Sequence, residues 1–233
     1  MATTARGEAL RALLFALGGI FVNIYALVQA HQWHELTYGA HPPRLRDVGF
    51  DLLPEAWCPE QSWLLDAIPG VFLALSLLVV LAEGRYTTLA LAFRMVGLTF
   101  FLRGLSILLT ILPDPYPKCM RRELFNSTLG EVGKVLAENP MLVTSLCGHC
   151  LFSGHACTLS LVALIWQRLD KPLWAATAVL VWAGEVLGML VCRFHYTCDV
   201  VWGIVVAFAV FNYVMPARRL TTRLVKHDKA HQQ

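Results

Sequence analysis

Charged residues are scarce in this chain. Of its 233 residues only 15% are Asp, Glu, Lys or Arg, whereas 57% are hydrophobic, and the mean hydropathy is +0.56. This balance excludes an ordinary water-soluble globular domain, whose surface carries far more charge. We therefore expect a lipid bilayer to be the solvent for most of the chain.

Several other features are missing as well. Outside its ends the chain has no basic stripe with interleaved aromatic residues, which argues against nucleic acid as a partner. No repeat, low-complexity tract or linker separates a soluble domain. No small-residue cleavage site follows Arg6 and Arg11, so we interpret the first apolar run as a retained span. The seven cysteines are an odd, dispersed set, which leaves at most individual bridges such as Cys58 to Cys119.

Long apolar runs are what the chain does have. A transmembrane helix needs about 20 mostly apolar residues. The pattern predicts an all-α polytopic membrane protein, a single domain over residues 1–233 with six transmembrane helices. The predicted spans are residues 10–30, 64–82, 89–112, 142–166, 173–192 and 199–216.

The distribution of basic residues predicts the orientation of these spans. Lys and Arg concentrate on the cytosolic side, and most of them fall beside the spans on one side here, including Arg85, Lys171 and the basic C-terminal tail. Both termini are therefore predicted to be cytosolic. The two long connections, residues 31–63 and 113–141, are predicted to be exoplasmic or lumenal. Asn126 begins an Asn-Ser-Thr sequon in the second of them.

A cluster of ionisable residues converges on that exoplasmic side. Each such group in a span costs roughly 2.5 to 3.5 kcal/mol on insertion scales, so it is a functional candidate. His195 and Asp199 are four residues apart, which places them on one face of a helix. A carboxylate there fixes the imidazole tautomer and raises its basicity. His155, in the first half of the predicted fourth span, approaches the same face.

These residues also carry a family resemblance. Residues 147–155, Cys-Gly-His-Cys-Leu-Phe-Ser-Gly-His, resemble the Cys-Gly-Asp-x-x-x-Ser-Gly-His-Thr motif of the sphingomyelin synthase family. Residues 195–200 match its His-Tyr-Thr-x-Asp-Val motif, residues 94–115 are similar to its third-span motif, and residues 51–55 to its first-loop motif. That family is related to the lipid phosphate phosphatases.

The resemblance implies transfer of a phosphocholine, phosphoethanolamine or phosphoinositol headgroup from a glycerophospholipid to ceramide, releasing diacylglycerol. His155, His195 and Asp199 would be catalytic, with His195 forming a phosphohistidine. No metal or other cofactor is demanded by this exchange. The candidates for binding substrate or phosphate are Arg103, Arg193, Ser153, His149 and Tyr196.

The chain departs from the family pattern at three positions. His149 stands where the motif has Asp, Ala156 where it has Thr, and Trp202 where a Tyr is expected. An imidazole in place of a carboxylate weakens attraction for a cationic headgroup, so His149 predicts an uncharged headgroup such as inositol.

Alternative interpretations stay open. Cys147, His149, Cys150 and His155 offer the ligand types of a zinc site, although zinc would consume the catalytic histidine. Glu131 and Glu185 either support the site or serve packing. A lipid phosphate phosphatase is the nearest competitor, but Met141 stands where its Lys-x6-Arg-Pro motif needs Arg. A phosphatidylcholine:diacylglycerol headgroup exchanger and a lipid-sensing scaffold are the others.

The partners expected are membrane lipids: ceramide, a glycerophospholipid donor and the diacylglycerol product. The oligomeric state is left open by the sequence, a homo-oligomer included. We expect residence in the Golgi or plasma membrane, with the site facing the lumen or the exterior.

Overall fold

The computed structural model describes residues 2–39, 43–54, 63–115, 134 and 148–215. Several sequence-based predictions lie outside these residues. They are the bridge from Cys58 to Cys119, the sequon at Asn126, Glu131, Cys147 in the alternative zinc set, and the basic C-terminal tail.

The described part of the chain is helical and contains no strand. The helices are α1 (Ala2–Tyr38), α2 (Val48–Leu52), α3 (Trp63–Ala82), α4 (Tyr86–Leu109), α5 (Gly154–Arg168), α6 (Pro172–Val191) and α7 (Thr197–Val214). Among them, α1, α3, α4, α6 and α7 are long and apolar enough to cross a membrane. The predicted all-helical, polytopic architecture is confirmed to this extent.

The fourth predicted span differs from its prediction. Within the described residues its helix is α5, which has 15 residues and begins only at Gly154. The Oγ of Ser153 accepts a hydrogen bond from Ala156 N at 3.3 Å and so caps the helix N-terminus. His155 therefore lies in the first turn of a short helix rather than inside a long span. Six spans were predicted, and the described residues contain five helices that are long and apolar enough to be spans.

The first helix is longer than predicted. It continues through Tyr38, where the sequence indicated a connection from residue 31. The polar residues that suggested a connection are buried: His31 is 0% and His34 is 1% exposed. His34 Nε2 accepts a hydrogen bond from Asp114 N at 3.2 Å. Polar side chains thus end the apolar run in sequence while the helix itself continues.

Helices α1 and α4 pack along their lengths at very short range. A Cβ on Gly19 would clash with the backbone carbonyl of Gly97, and one on Gly104 would come 3.1 Å from Asn23 Cα. Small residues allow such close backbone approach between membrane helices. The contact matters for the site because it brings Asn23 of α1 beside Arg103 of α4.

Helix α5 occupies the centre of the bundle and packs against α6 and α7. Its buried face includes Leu159, Leu161 and Trp166, and the Trp166 indole donates to Ser76 Oγ of α3 at 3.1 Å. A Cβ on Gly203 of α7 would come 2.7 Å from Ser153 O, so glycine is required where α7 passes the start of α5.

Basic residues that the orientation prediction placed together do share one end of the bundle. Arg6 stacks over the Tyr86 ring at 5.1 Å, and Arg85 and Lys171 both pair with Glu83, at 2.6 and 2.7 Å. The side of the membrane that this end faces stays a prediction.

Candidate active site

A cavity of about 590 Å³ opens at the other end of the bundle. Its wall is formed by α1, α3, α4, α5 and α6 with the turn between α6 and α7. Most of the lining is apolar. The polar side chains that face it are Asn23, Asp66, Arg103, His149, His155, Thr158, Glu185 and His195.

His195 lines this cavity, and its partner Asp199 lies in the first turn of α7. The turn between α6 and α7 passes through a left-handed residue, Arg193 (φ 60), and α7 then begins at Thr197. Nδ1 of His195 lies 3.5 Å from Oδ2 of Asp199, and the same oxygen accepts Tyr196 N at 3.0 Å. Both residues are buried. The distance is longer than a normal hydrogen bond, as is common in catalytic pairs without substrate.

The protonation of His195 follows from its surroundings. Burial lowers the pKa of His195, because it disfavours the charged imidazolium, while the nearby Asp199 carboxylate acts in the opposite direction. The net effect is a lowered pKa. A neutral imidazole whose Nδ1 faces a carboxylate has a lone pair on Nε2 for attack on an electrophile.

His155 faces the same cavity with a carboxylate partner of its own. Its Nε2 lies 3.1 Å from Oδ1 of Asp66, which belongs to the first turn of α3. Sequence reasoning missed Asp66. The signal was available, since an acidic residue opens an otherwise apolar span, but nothing in the sequence linked it to a histidine far along the chain.

Arg103 reaches the cavity from mid-α4. Its Nε donates to Phe152 O at 3.1 Å, Nη1 to Asn23 Oδ1 at 3.0 Å and Nη2 to His149 O at 3.4 Å. These are neutral acceptors, and guanidinium has five N–H groups. A buried cation held by neutral groups at the cavity wall is suited to an anionic ligand.

Three other predicted binding residues do not line the cavity. Arg193 donates through Nη2 to Phe50 O and Leu53 O, at 3.0 and 2.8 Å, and its guanidinium lies 4.3 Å from the centre of the Phe50 ring. The Tyr196 hydroxyl accepts from Leu45 N at 3.3 Å. Ser153 caps α5 and donates to Met189 Sδ at 3.2 Å. These side chains hold the scaffold of the site.

The first connection is fastened to the turn that carries His195. Asp47 is the N-cap of α2, and its carboxylate also accepts the backbone N–H of Thr197 at 2.7 Å and the Thr197 hydroxyl. The Thr197 hydroxyl in turn accepts Gly49 N at 3.1 Å. Together with the contacts of Arg193, these hydrogen bonds show that residues near the first-loop motif support the turn that carries His195, although they do not line the cavity.

His149 lies between His195 and Asp114. Its ring meets that of His195 edge-on, with centroids 5.6 Å apart, and its Nδ1 lies 3.7 Å from Oδ2 of Asp114. Asp114 donates its backbone N–H to His34. The position where the family motif has Asp thus lies next to the predicted nucleophile.

The residues whose side chains come together as possible metal ligands differ from the set that the sequence suggested for zinc. Donor atoms of Cys150, His195 and Asp199 lie within 4.8 Å of one another, and this is the set found in the described ranges. Burial raises the pKa of the Cys150 thiol well above its ordinary value, which opposes the thiolate that zinc requires. Cys150, Cys157 and Cys198 are free thiols, whereas Cys192 at the end of α6 is disulfide-bonded.

Glu185 is the remaining candidate. It lies on α6, is 4% exposed, and lines the cavity with His155 and Asp66. The structure therefore brings Glu185 to the site, while Glu131 lies outside the described residues.

Comparison with known families finds a match to part of the chain. Residues 146–216 match the family model described as PAP2 superfamily C-terminal. This segment contains His155, His195 and Asp199. No curated protein matches the chain. The match supports the lipid phosphate phosphatase superfamily, and with it an enzyme that acts on phosphate esters of lipids.

Proposed function

We propose that the protein is a sphingolipid synthase, which transfers a phospho-headgroup from a glycerophospholipid to the primary hydroxyl of ceramide and releases diacylglycerol. The observation that carries the proposal is that His155 and His195 line one cavity and that each has a carboxylate partner, Asp66 for His155 and Asp199 for His195.

The chemistry proceeds in two displacements. Nε2 of His195 attacks the donor phosphorus, the bond from phosphorus to the diacylglycerol oxygen breaks, and His155 gives that oxygen a proton. His155 then takes the proton of the ceramide hydroxyl, whose oxygen attacks the phosphohistidine, and the P–N bond breaks. Arg103 stabilises the charge on the phosphoryl oxygens. Because one phosphodiester replaces another, neither ATP nor a redox cofactor is consumed.

The apolar lining favours transfer over hydrolysis. The groups around the two histidines include Leu65, Phe100, Leu159 and Phe194. Such walls suit the acyl chains of a lipid acceptor and disfavour water, the acceptor that a phosphatase uses. The apolar lining is also a reason to expect both substrates to enter from the bilayer.

The reaction is tested with purified protein in vesicles, using ceramide that bears a fluorescent acyl chain and one candidate donor lipid at a time. A headgroup-bearing fluorescent product with at least one donor is the expected result. Release of soluble phosphate or phospho-headgroup would instead identify a hydrolase. A headgroup-bearing product with diacylglycerol but not with ceramide would identify an exchanger. Silence with every donor and acceptor would support a scaffold.

We place the site on the lumenal or exoplasmic side of the Golgi or plasma membrane. The disulfide at Cys192, close to His195, supports this side because disulfides persist in oxidising compartments. The test is the glycosylation of Asn126 in a eukaryotic host. A mass decrease on glycosidase treatment, absent in Asn126→Gln, is expected, and cytosolic exposure of that segment would invert the orientation.

A further inference from the structure

Glu185 presents an acceptor that no described group satisfies. The side chain is 4% exposed, and its Oε1 is buried without a hydrogen-bond partner in the described part of the chain. Glu185 also lines the cavity that His155 and His195 line. A buried carboxylate oxygen without a donor costs at least as much as a lost hydrogen bond, so such a group calls for a ligand.

Two cationic groups that line the same cavity already have other partners. His155 pairs with Asp66 at 3.1 Å, and Arg103 donates to Asn23 and to two backbone carbonyls. The cavity wall is therefore divided by charge. A cation, Arg103, lies on α4, whereas the carboxylates of Asp66 and Glu185 lie on α3 and α6.

We propose that Glu185 binds the cationic end of the donor headgroup, and that the preferred headgroup is phosphoethanolamine, whose primary ammonium has N–H groups to donate. This inference rests on the proposed function and names the donor class for the same site. The phosphate would face Arg103 and His195 while the ammonium faces Glu185, so a zwitterionic headgroup complements both sides of the cavity.

The type of cation follows from what the cavity offers. A quaternary ammonium has no N–H, so choline leaves the Oε1 of Glu185 without a donor. Choline is recognised instead by cages of aromatic rings. The aromatic side chains that line this cavity are Phe100 and Phe194 within the described ranges, and no Trp or Tyr lines it. An uncharged inositol would leave the Glu185 carboxylate without a counter-charge. We therefore expect the Glu185 carboxylate to favour a cationic headgroup more strongly than His149 favours an uncharged one.

The first test needs no mutation. The intact protein in vesicles is given fluorescent ceramide with phosphatidylethanolamine, its N-methyl and N,N-dimethyl derivatives, or phosphatidylcholine, all with the same acyl chains. Because the derivatives keep at least one N–H, kcat/KM should fall most at the last methylation, by roughly 10- to 100-fold, the effect of one charge-assisted hydrogen bond. Phosphatidylinositol should be transferred no faster than phosphatidylcholine.

The second test is Glu185→Gln, which keeps the size of the side chain and removes its charge. The ratio of kcat/KM for phosphatidylethanolamine over phosphatidylcholine should collapse to within about threefold of unity, largely through a higher KM for phosphatidylethanolamine. The matched control is Glu83→Gln at the opposite end of the bundle, where Glu83 pairs with Lys171 and Arg85. It should leave the ratio unchanged.

The outcomes separate the two proposals. Absence of any headgroup-bearing ceramide from the unmodified protein defeats the proposed function. Transfer that proceeds with equal kcat/KM along the methylation series, or that prefers phosphatidylcholine or phosphatidylinositol, overturns the role of Glu185 and leaves the transferase standing. The role of Glu185 is also overturned if Glu185→Gln lowers kcat/KM by the same factor for every donor. If that variant does not purify as a monodisperse species, the methylation series on the unmodified protein decides.

Discussion

Oδ1 of Asp66 lies 3.1 Å from Nε2 of His155, although the two residues come from different helices, α3 and α5. The geometry leaves Nδ1 of His155 for proton exchange while Nε2 is held. The two histidines that are candidates for catalysis, His155 and His195, thus each have their own carboxylate. The two carboxylates are reached differently, since Asp199 is four residues from His195 whereas Asp66 depends on the packing of the bundle.

We expect Asp66→Asn to slow the transfer by roughly 100-fold in kcat with little change in KM, because His155 loses the group that orients it. The informative measurement uses a donor whose leaving group is nitrophenol, which departs without protonation. The release of nitrophenol in the first half-reaction should be within about threefold of the unmodified protein. A defect of equal size with both donors would assign Asp66 to packing alone.

His195→Ala should abolish transfer, and Asp199→Asn should lower kcat by several orders of magnitude as control of the tautomer is lost. Asparagine still offers an oxygen to Tyr196 N, so the turn should remain folded. Unmodified protein that is denatured in alkaline detergent after incubation with a headgroup-labelled donor should carry label on His195 that is stable to alkali and released by acid, as expected for a P–N bond. Near-normal turnover in either variant contradicts the assignment of the nucleophile.

The pH dependence should carry the signature of a buried nucleophile. Burial lowers the pKa of His195. The attacking imidazole must be neutral, so activity is retained above that pKa and lost as the pH falls through it. The acid limb of kcat/KM should therefore have its midpoint below the ordinary histidine value of about 6.5. A midpoint above that value would mean that the Asp199 carboxylate, not burial, dominates.

Arg193 should matter for stability. Arg193→Gln removes a charged donor from the Phe50 and Leu53 carbonyls, so we expect a loss of about 2 kcal/mol in the free energy of unfolding. The measurement is thermal unfolding in detergent. Arg46→Gln is the matched control, because Arg46 is largely exposed and pairs with Asp51 at 3.4 Å. Equal stability of the two variants would contradict the role given to Arg193.

The close packing of α1 and α4 predicts a strong difference between adjacent glycines. Gly19→Ala should destabilise the protein by about 1 to 3 kcal/mol and lower activity, since its methyl group would meet the Gly97 carbonyl and displace Asn23 from Arg103. A Cβ on Gly18 meets nothing within 4 Å, so Gly18→Ala should be close to neutral. Unfolding temperature and transfer rate measured together on both variants provide the check.

The apolar helices and the pair of His195 with Asp199 could be predicted because both depend on local patterns. Helical periodicity places residues four apart on one face, and hydropathy marks the spans. The ends of the helices were harder to predict. His31 and His34 interrupt the apolar pattern, yet the helix continues. Both side chains are buried, and His34 accepts a hydrogen bond from Asp114 N in the segment after α4.

Long-range partners could not be predicted from one sequence. Asp66, Asp47 and Asn23 lie between 80 and 150 residues away along the chain from the residues that they contact, and no spacing rule connects them. Arg193 was a reasonable phosphate candidate by its position beside His195. The left-handed backbone at that residue accompanies a side chain that contacts α2 instead of the cavity.

The shortness of α5 has a consequence for the membrane itself. Fifteen residues extend about 22 Å, less than the roughly 30 Å of hydrocarbon in a typical bilayer. If Arg168 lies at one interface, as the distribution of basic residues predicts, the end of α5 that carries His155 would lie several ångströms below the other interface. A lipid headgroup would then have to enter below the interface to reach His155. Turnover should therefore depend on bilayer thickness, with thinner bilayers relieving the hydrophobic mismatch around the cavity.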